Sequence, residues 1–428
     1  MESLSDWLNH LESLHPKGQG GIELGLERVG QVKAELDQRQ ICPVILVGGT
    51  NGKGSTCAYL ETFYRSSGFR VGCYTSPHLL QYNERMRLNG AVVTDQALCA
   101  AFAKVEAARR AAGNVPLTYF EFGTLAAWEV FASWQAQVII LEVGLGGRLD
   151  AVNLYDADAA VITGIALDHI DWLGATREAI GFEKAGIFRP GRPAICADPQ
   201  PPQSLLSHAV ELGADLRRIG HDFGHLRDND GWSFWSRSGI RWNGLPHPAL
   251  RGAHQFDNAA AALAVVDVLQ GSLPTVPMSL SPGLRQVQVM GRFQQVRDQP
   301  AIILDVAHNP QAVFALAENL KAMGSFHRTF AVVGMLADKD IQGSLSPLAG
   351  MIDSWFLATL DIPRGARGET LAAAVAENEA LASPSGRIEC LATPDEAFLR
   401  AVSLAEENDR ILIFGSFHTV ASVLRAMG

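Results

Sequence analysis

At 428 residues, with 47% apolar and 19% charged side chains, the chain is long enough for about two or three domains and has the composition of an ordinary globular protein. Its formal net charge is −10 with acids and bases interspersed, which excludes a broad basic surface for nucleic acid or an anionic membrane. The six scattered cysteines form no C-x-x-C pair, the start is acidic and amphipathic, and no run approaches the ~20 apolar residues of a membrane span; a reduced, cytoplasmic, monomeric protein is expected.

In chain order, the first half alternates strand-like and helix-like runs, the pattern of an α/β domain around a parallel sheet. Residues 43–47 read as a short strand running into glycines, and Tyr59, Leu60, Phe63 and Tyr64 at helical spacing predict a helix over 55–66, stopped near Gly68. Residues 71–74 give the next strand and 120–134 the next helix. The near-continuous apolar runs 137–143 and 159–166 are expected as strands buried on both faces. Between about 200 and 250, Trp232, Phe234, Ile240 and Trp242 alternate with polar residues and predict a small β-hairpin region. An alanine-rich helix over 258–269 follows, and then 271–283, rich in Gly, Pro and Ser, which reads as a linker. Strands over 301–306, 329–333, 354–360 and 410–414 predict a second α/β module with no dinucleotide fingerprint after its first strand. The fold class expected is therefore α/β, with an N-terminal parallel-sheet domain over 1–282 and a Rossmann-like domain over 283–428.

The segment 44–56 (VILVGGTNGKGST) is a strand, a glycine turn, a lysine, and hydroxyls opening a helix. Glycines let backbone N–H groups face phosphate oxygens, the helix N-terminus adds partial positive charge, and Lys53 neutralises the β/γ-phosphates. Thr50, Asn51, Gly52, Lys53, Gly54 and Ser55 are the expected phosphate-binding residues. The loop departs from the strict G-x-x-x-x-G-K-[ST] pattern, because Gly54 follows the lysine.

This TNGKGS variant resembles the Mur ligase superfamily, and its extra glycine resembles the folate branch. Further stretches match in order: 74–79 (YTSPHL), 83–85 (NER), 117–122 (LTYFEF), 141–153 (LEVGLGGRLDAVN), 166–169 (ALDH), 183–187 (EKAGI), 291–292 (GR) and 305–310 (DVAHNP). A peptidoglycan-type Mur ligase carries a further domain before the loop, and too few residues precede Gly49 to form one. The resemblance implies ATP-dependent amide formation, in which a substrate carboxylate is phosphorylated and the amine of L-glutamate attacks the acyl phosphate. It implies dihydropteroate as one acceptor and tetrahydrofolate as the other; folylpolyglutamate synthesis alone, or a nucleotide switch that uses the same loop without ligation, are the alternatives.

The resemblance also assigns residues. It implies two Mg²⁺ sites, with Ser76, Glu142, His169 and a carbamylated Lys184 as ligands, and a monovalent cation such as K⁺ for which the sequence offers no site. Glu142 ends a buried strand, where a carboxylate is costly unless paired or metal-bound. Imidazole is an unusual Mg²⁺ ligand, and composition alone would make Lys184 an exposed helix lysine. Asn258 resembles a nucleotide contact, Arg292 and Asp305 contacts to ATP phosphates and ribose, and His308 a residue orienting glutamate or the phosphoryl group. Ser416 and His418 fit the glutamate site no better than a structural role. For the pterin, Glu23, Leu24, Gly25, Leu26, Thr118, Phe120, Leu149, Asp150 and Ala151 are expected, with Phe120 either stacking on the ring or packing in the core.

Overall fold

The computed structural model describes residues 3–16, 21–228, 231–381 and 386–428. They form two compact units: residues 1–249 with 256–287, and residues 250–255 with 288–428.

The first unit holds eight strands in one sheet: β1 (Val44–Gly48), β2 (Val71–Tyr74), β3 (Met86–Leu88), β4 (Ala91–Val92), β5 (Val138–Glu142), β6 (Ala159–Ile162), β7 (Pro193–Cys196) and β8 (Asp215–Arg218). Their order is β4-β3-β2-β5-β1-β6-β7-β8. The run from β2 to β8 is parallel, and β3 and β4 extend it antiparallel. The central strands are apolar and buried along their length because helices cover both faces. Connections leave β1 and β5 toward opposite sides of the sheet, so the strand ends around Gly48, Glu142 and Ile162 form a topological switch point, where such sheets bind ligands. The register sets Val47 beside Glu142 and Gly48 beside Ile162.

Several expected boundaries move. The strand predicted to reach residue 166 stops at Ile162, because its partner β1 ends at Gly48 and beyond it Thr163 faces the glycine loop, its N–H on the Gly48 carbonyl and its hydroxyl on the Asn51 carbonyl. The aromatic region is a three-stranded antiparallel sheet, β9 (Phe223–Arg227), β10 (Trp232–Ser236) and β11 (Arg241–Leu245), in the order β11-β10-β9. The stretch read as a linker contains the helix Pro277–Gln286, with Pro277 in its first turn. That helix packs on helix Lys53–Ser66: Ser279 Oγ lies 2.8 Å from Ser67 Oγ, and a Cβ on Gly283 would stand 2.7 Å from the Phe63 ring. Here proline starts a helix and glycine permits a close approach, so a linker-like composition has a packing role.

The second unit has a six-stranded sheet of β12 (Gln294–Asp298), β13 (Ala301–Leu304), β14 (Thr329–Val333), β15 (Ser354–Ala358), β16 (Ile388–Leu391) and β17 (Arg410–Phe414), ordered β12-β13-β17-β14-β15-β16. All neighbours are parallel except the edge pair β12–β13, whose β12 is absent from the sequence expectation, as is β16. Among the described residues no helix is long and apolar enough to cross a membrane.

Candidate active site

The glycine loop leaves β1 and enters helix Lys53–Ser66 through Gly52, which has φ +92° and caps that helix in the left-handed region. Backbone and hydroxyl bonds fix the loop against the end of β6. Thr50 N–H donates to the Gly164 carbonyl at 2.7 Å, and Thr163 Oγ1 donates to the Asn51 carbonyl at 2.7 Å. Two glycines are required sterically: a Cβ on Gly49 would stand 1.9 Å from Thr163 Oγ1, and one on Gly52 would stand 2.5 Å from Asn258 Oδ1. Asn258, buried on helix His254–Val268, therefore lies against the loop at Gly52. Lys53 curls back so that its ammonium donates to the Gly49 and Thr50 carbonyls at 3.0 and 3.2 Å, which places its charge at the loop.

Glu142 is buried at the end of β5, and its Oε2 accepts the Ser76 backbone N–H at 3.0 Å. Two of the expected metal residues are thus brought together. A Cβ on Gly54 would approach no atom closer than Glu142 Oε1, at 3.9 Å, so the glycine after the lysine keeps the space beside the carboxylate clear. Among the described residues no three His, Cys, Asp or Glu side chains gather as a ready metal cluster. A carboxylate beside a phosphate loop suits Mg²⁺, which keeps waters and takes substrate phosphate oxygens rather than a full protein cage.

His169 follows β6 in a left-handed conformation, φ +51° and ψ +42°, at the start of the short helix Ile170–Leu173. Its backbone N–H donates to Asp168 Oδ1 at 2.8 Å. Lys184 lies near the end of helix Arg177–Ala185 and is buried, not exposed as composition alone would have it. Burial first, and then the charge of Lys53, pull its ammonium down to about 7, against Asp168 and Asp150, which favour the charged form.

The residues expected for the pterin come from three distant stretches. Gly25 N–H donates to the Leu149 carbonyl at 3.2 Å, joining 23–26 to 149–151. Asp150 is buried, with Oδ2 and Oδ1 accepting the backbone N–H groups of Leu145 and Val152 at 2.8 and 3.1 Å. Burial outweighs these bonds and the nearby Lys53 charge and pushes its carboxyl up to about 7. Ala151 is buried beside it, while Leu149, Leu24 and Leu26 are half-buried. Thr118 caps helix Tyr119–Ser133: its hydroxyl accepts the Glu121 N–H, and Glu121 Oε2 accepts the Thr118 N–H, a reciprocal capping box. Phe120 is half-buried, tilted 34° against Tyr74 at 5.8 Å, and close enough to Gly144 that a Cβ there would be 2.8 Å from the ring.

In the second unit, Asp305 follows β13 and accepts the backbone N–H groups of Phe293 and Ala307, both at 2.8 Å, which ties the Gly291–Arg292 turn to the strand end. Burial raises its carboxyl above the usual range, and Arg292 opposes the rise. The Arg292 guanidinium lies 5.8 Å over the Phe417 ring. His308 Nδ1 donates to the Val306 carbonyl at 2.8 Å, so that nitrogen carries the proton. Ser416 caps helix Phe417–Ala426, accepting the Thr419 N–H at 3.0 Å. Burial, and then Arg364 and Arg425, hold His418 below its ordinary value.

Sequence reasoning passed over Thr163, which pins the loop, and Asp168, which faces Lys184. Thr163 is the one hydroxyl inside the 159–166 run and Asp168 stands two residues past it, and a polar residue at the end of a buried strand is a usable signal. It also passed over Arg28, whose partner Glu121 is 93 residues away and leaves no trace in spacing.

The Mur ligase middle domain matches residues 47–266, and the Mur ligase glutamate ligase domain matches residues 291–417. The chain is 43% identical over 425 residues to the dihydrofolate synthase/folylpolyglutamate synthase of Escherichia coli strain K12, covering 99% of this chain and 95% of that protein. Its fold is similar, with TM-score 0.90 and 43% identity over 100% of this chain and 98% of the other, to E. coli FolC in complex with DHPP and ADP. It is similar at TM-score 0.89 and 43% identity, over 100% of this chain and 98% of the other, to a bifunctional folylpolyglutamate synthase/dihydrofolate synthase with Mn, AMPPNP and L-glutamate bound. With both domain types in order and a full-length relative at this identity, the chain belongs to the dihydrofolate synthase/folylpolyglutamate synthase family of Mur-type ligases.

Proposed function

We propose that this protein joins L-glutamate to dihydropteroate, forming dihydrofolate, and to tetrahydrofolate, forming polyglutamates, each time through an acyl phosphate made with ATP. The observation that carries the reading is the glycine loop with Lys53, set beside the buried Glu142 at the switch point of a parallel sheet. The geometry suits phosphoryl transfer, which is mostly positioning and charge neutralisation.

In this reading the loop amides and Lys53 hold the β/γ-phosphates, Asn258 contacts the nucleotide, and Ser76, Glu142, His169 and carbamylated Lys184 hold two Mg²⁺. The metal, when bound, supplies neutralisation of the phosphoryl charge. Because the Lys184 ammonium falls to about 7, a large neutral fraction is present near neutral pH, and neutral amine is the form that adds CO₂ and releases a proton to become a carbamate. Leu149, Asp150, Ala151, Glu23, Leu24, Gly25, Leu26, Thr118 and Phe120 line the pterin site. Arg292, Asp305 and His308 serve phosphate, ribose and glutamate, and the protein works as a cytoplasmic monomer. The first unit, residues 1–249 with 256–287, acts as the ATP- and pterin-binding domain and the second, residues 250–255 with 288–428, as the Rossmann-like domain.

Purified protein with ATP, glutamate and either dihydropteroate or tetrahydrofolate, followed by coupled ADP detection, tests the proposal. ADP release is expected with each acceptor. Release with tetrahydrofolate alone reduces the enzyme to a folylpolyglutamate synthase, and slow hydrolysis indifferent to both acceptors and to glutamate rules out ligation.

A further inference from the structure

Helix Glu27–Glu35 starts directly after the 23–26 stretch, and its Arg28 reaches two parts of the proposed pterin site at once. Nη1 binds the Glu23 carboxylate, while Nη2 donates to the Glu23 carbonyl oxygen at 3.1 Å and to Glu121 Oε1 at 3.0 Å. Glu121 is buried, and its other oxygen closes the cap at Thr118. The same carboxylate thus sets the start of the helix that carries Phe120 and takes the charge of Arg28. Gly25 is joined to Leu149, and His15 Nε2 lies 3.3 Å from Glu23 Oε2, so the 23–26 stretch is held from three sides.

Arg28 is 22% exposed at its side chain, and its buried Nε has no hydrogen-bond partner. An unsatisfied buried donor is costly, so the fork's orientation answers to Glu23 and Glu121 rather than to its own best solvation. A lysine keeps the charge but cannot span a carboxylate, a carbonyl and a second carboxylate from one planar group.

We propose that Arg28 is a positioning residue for the pterin: its guanidinium fork fixes the 23–26 stretch relative to the capped helix bearing Phe120. This rests on the reading of those stretches as the pterin site. Small displacements of positioning elements are felt in substrate affinity, whereas the loop and Lys53 have no bond to Arg28.

The test compares Arg28→Lys, Arg28→Met and Phe120→Ala, each as the full-length protein, in KM for dihydropteroate, KM for ATP and thermal midpoint. Arg28→Lys is expected to raise KM for dihydropteroate about tenfold with KM for ATP within about twofold, and Arg28→Met to raise the former further. Arg28→Lys retains the charge and guards against a variant that merely fails to fold. Parallel rises in both KM values overturn the proposal, since general loosening would do that. If Phe120→Ala weakens dihydropteroate and neither Arg28 variant does, the positioning role alone is lost. If all three leave it unchanged, the pterin reading falls with it. If the Arg28 variants weaken it and Phe120→Ala does not, the positioning role stands and only Phe120 loses its assignment.

Discussion

The phosphate loop and the proposed pterin site belong to the same compact unit but are built in opposite ways. The loop is one consecutive stretch from β1 to its helix, fixed by backbone bonds such as Thr50 to Gly164 and by the Thr163 hydroxyl. The pterin side is assembled from residues 23–26, 118–120 and 149–151, joined by Gly25–Leu149, by the capping box and by Arg28. A site written in consecutive residues depends on the few positions where a Cβ or a missing charge is intolerable. A site assembled from distant stretches depends also on struts that touch no substrate.

Breaking the loop gives the largest effect. Lys53→Ala should lower kcat by at least ~10³-fold with a thermal midpoint near that of the unchanged protein, because it removes charge from the transferred phosphoryl group and little packing. Near-normal turnover in a steady-state assay would refute the phosphoryl-transfer mechanism. Lys184→Ala should cost roughly 10²-fold, and a small carboxylate in the buffer should return part of the activity by replacing the carbamate oxygens; a fully active variant removes Lys184 from the site.

The glycines sharpen the comparison within the loop itself. Gly52→Ala demands a left-handed conformation at φ +92° and a Cβ 2.5 Å from Asn258 Oδ1, so ADP affinity by calorimetry should fall at least about tenfold. Gly54→Ala meets nothing closer than 3.9 Å and should bind ADP within about threefold of the unchanged protein, with any loss confined to kcat. Equal loss of ADP affinity in both would mean the loop is not organised around Gly52.

On the pterin side the effects are smaller. Burial raises the Asp150 carboxyl from 3.8 to about 7 on folding, so its contribution to stability is present at low pH and is lost as pH rises through about 7. Asp150→Asn should flatten the fall in thermal midpoint over that window, and an unchanged slope would show that Asp150 does not titrate there. Thr118→Ala removes a helix cap and should cost about 1 kcal/mol in chemical denaturation. If KM for dihydropteroate is then unchanged, Thr118 serves the helix alone.

The parts that were legible in the sequence were local. The loop, the strand before it and the helix after it read directly, because glycine, lysine and helical spacing act over adjacent residues. Glu142 was legible for the same reason, as an acid ending an apolar run. The segment 271–283 misled, since Pro277 and Gly283 serve a packed helix and composition cannot distinguish a linker from a close approach. Strands β12 and β16 escaped because edge strands carry weak apolar patterns.

The sequence by itself determined that this is an α/β protein with a phosphate loop, and its ordered motifs carried the family. Only the tertiary structure decided that Lys184 is buried near the charge of Lys53 and that Arg28 ties Glu23 to Glu121. Those facts depend on burial and on partners far apart along the chain, and both arise only when the sheet order and the packed helices bring the stretches together.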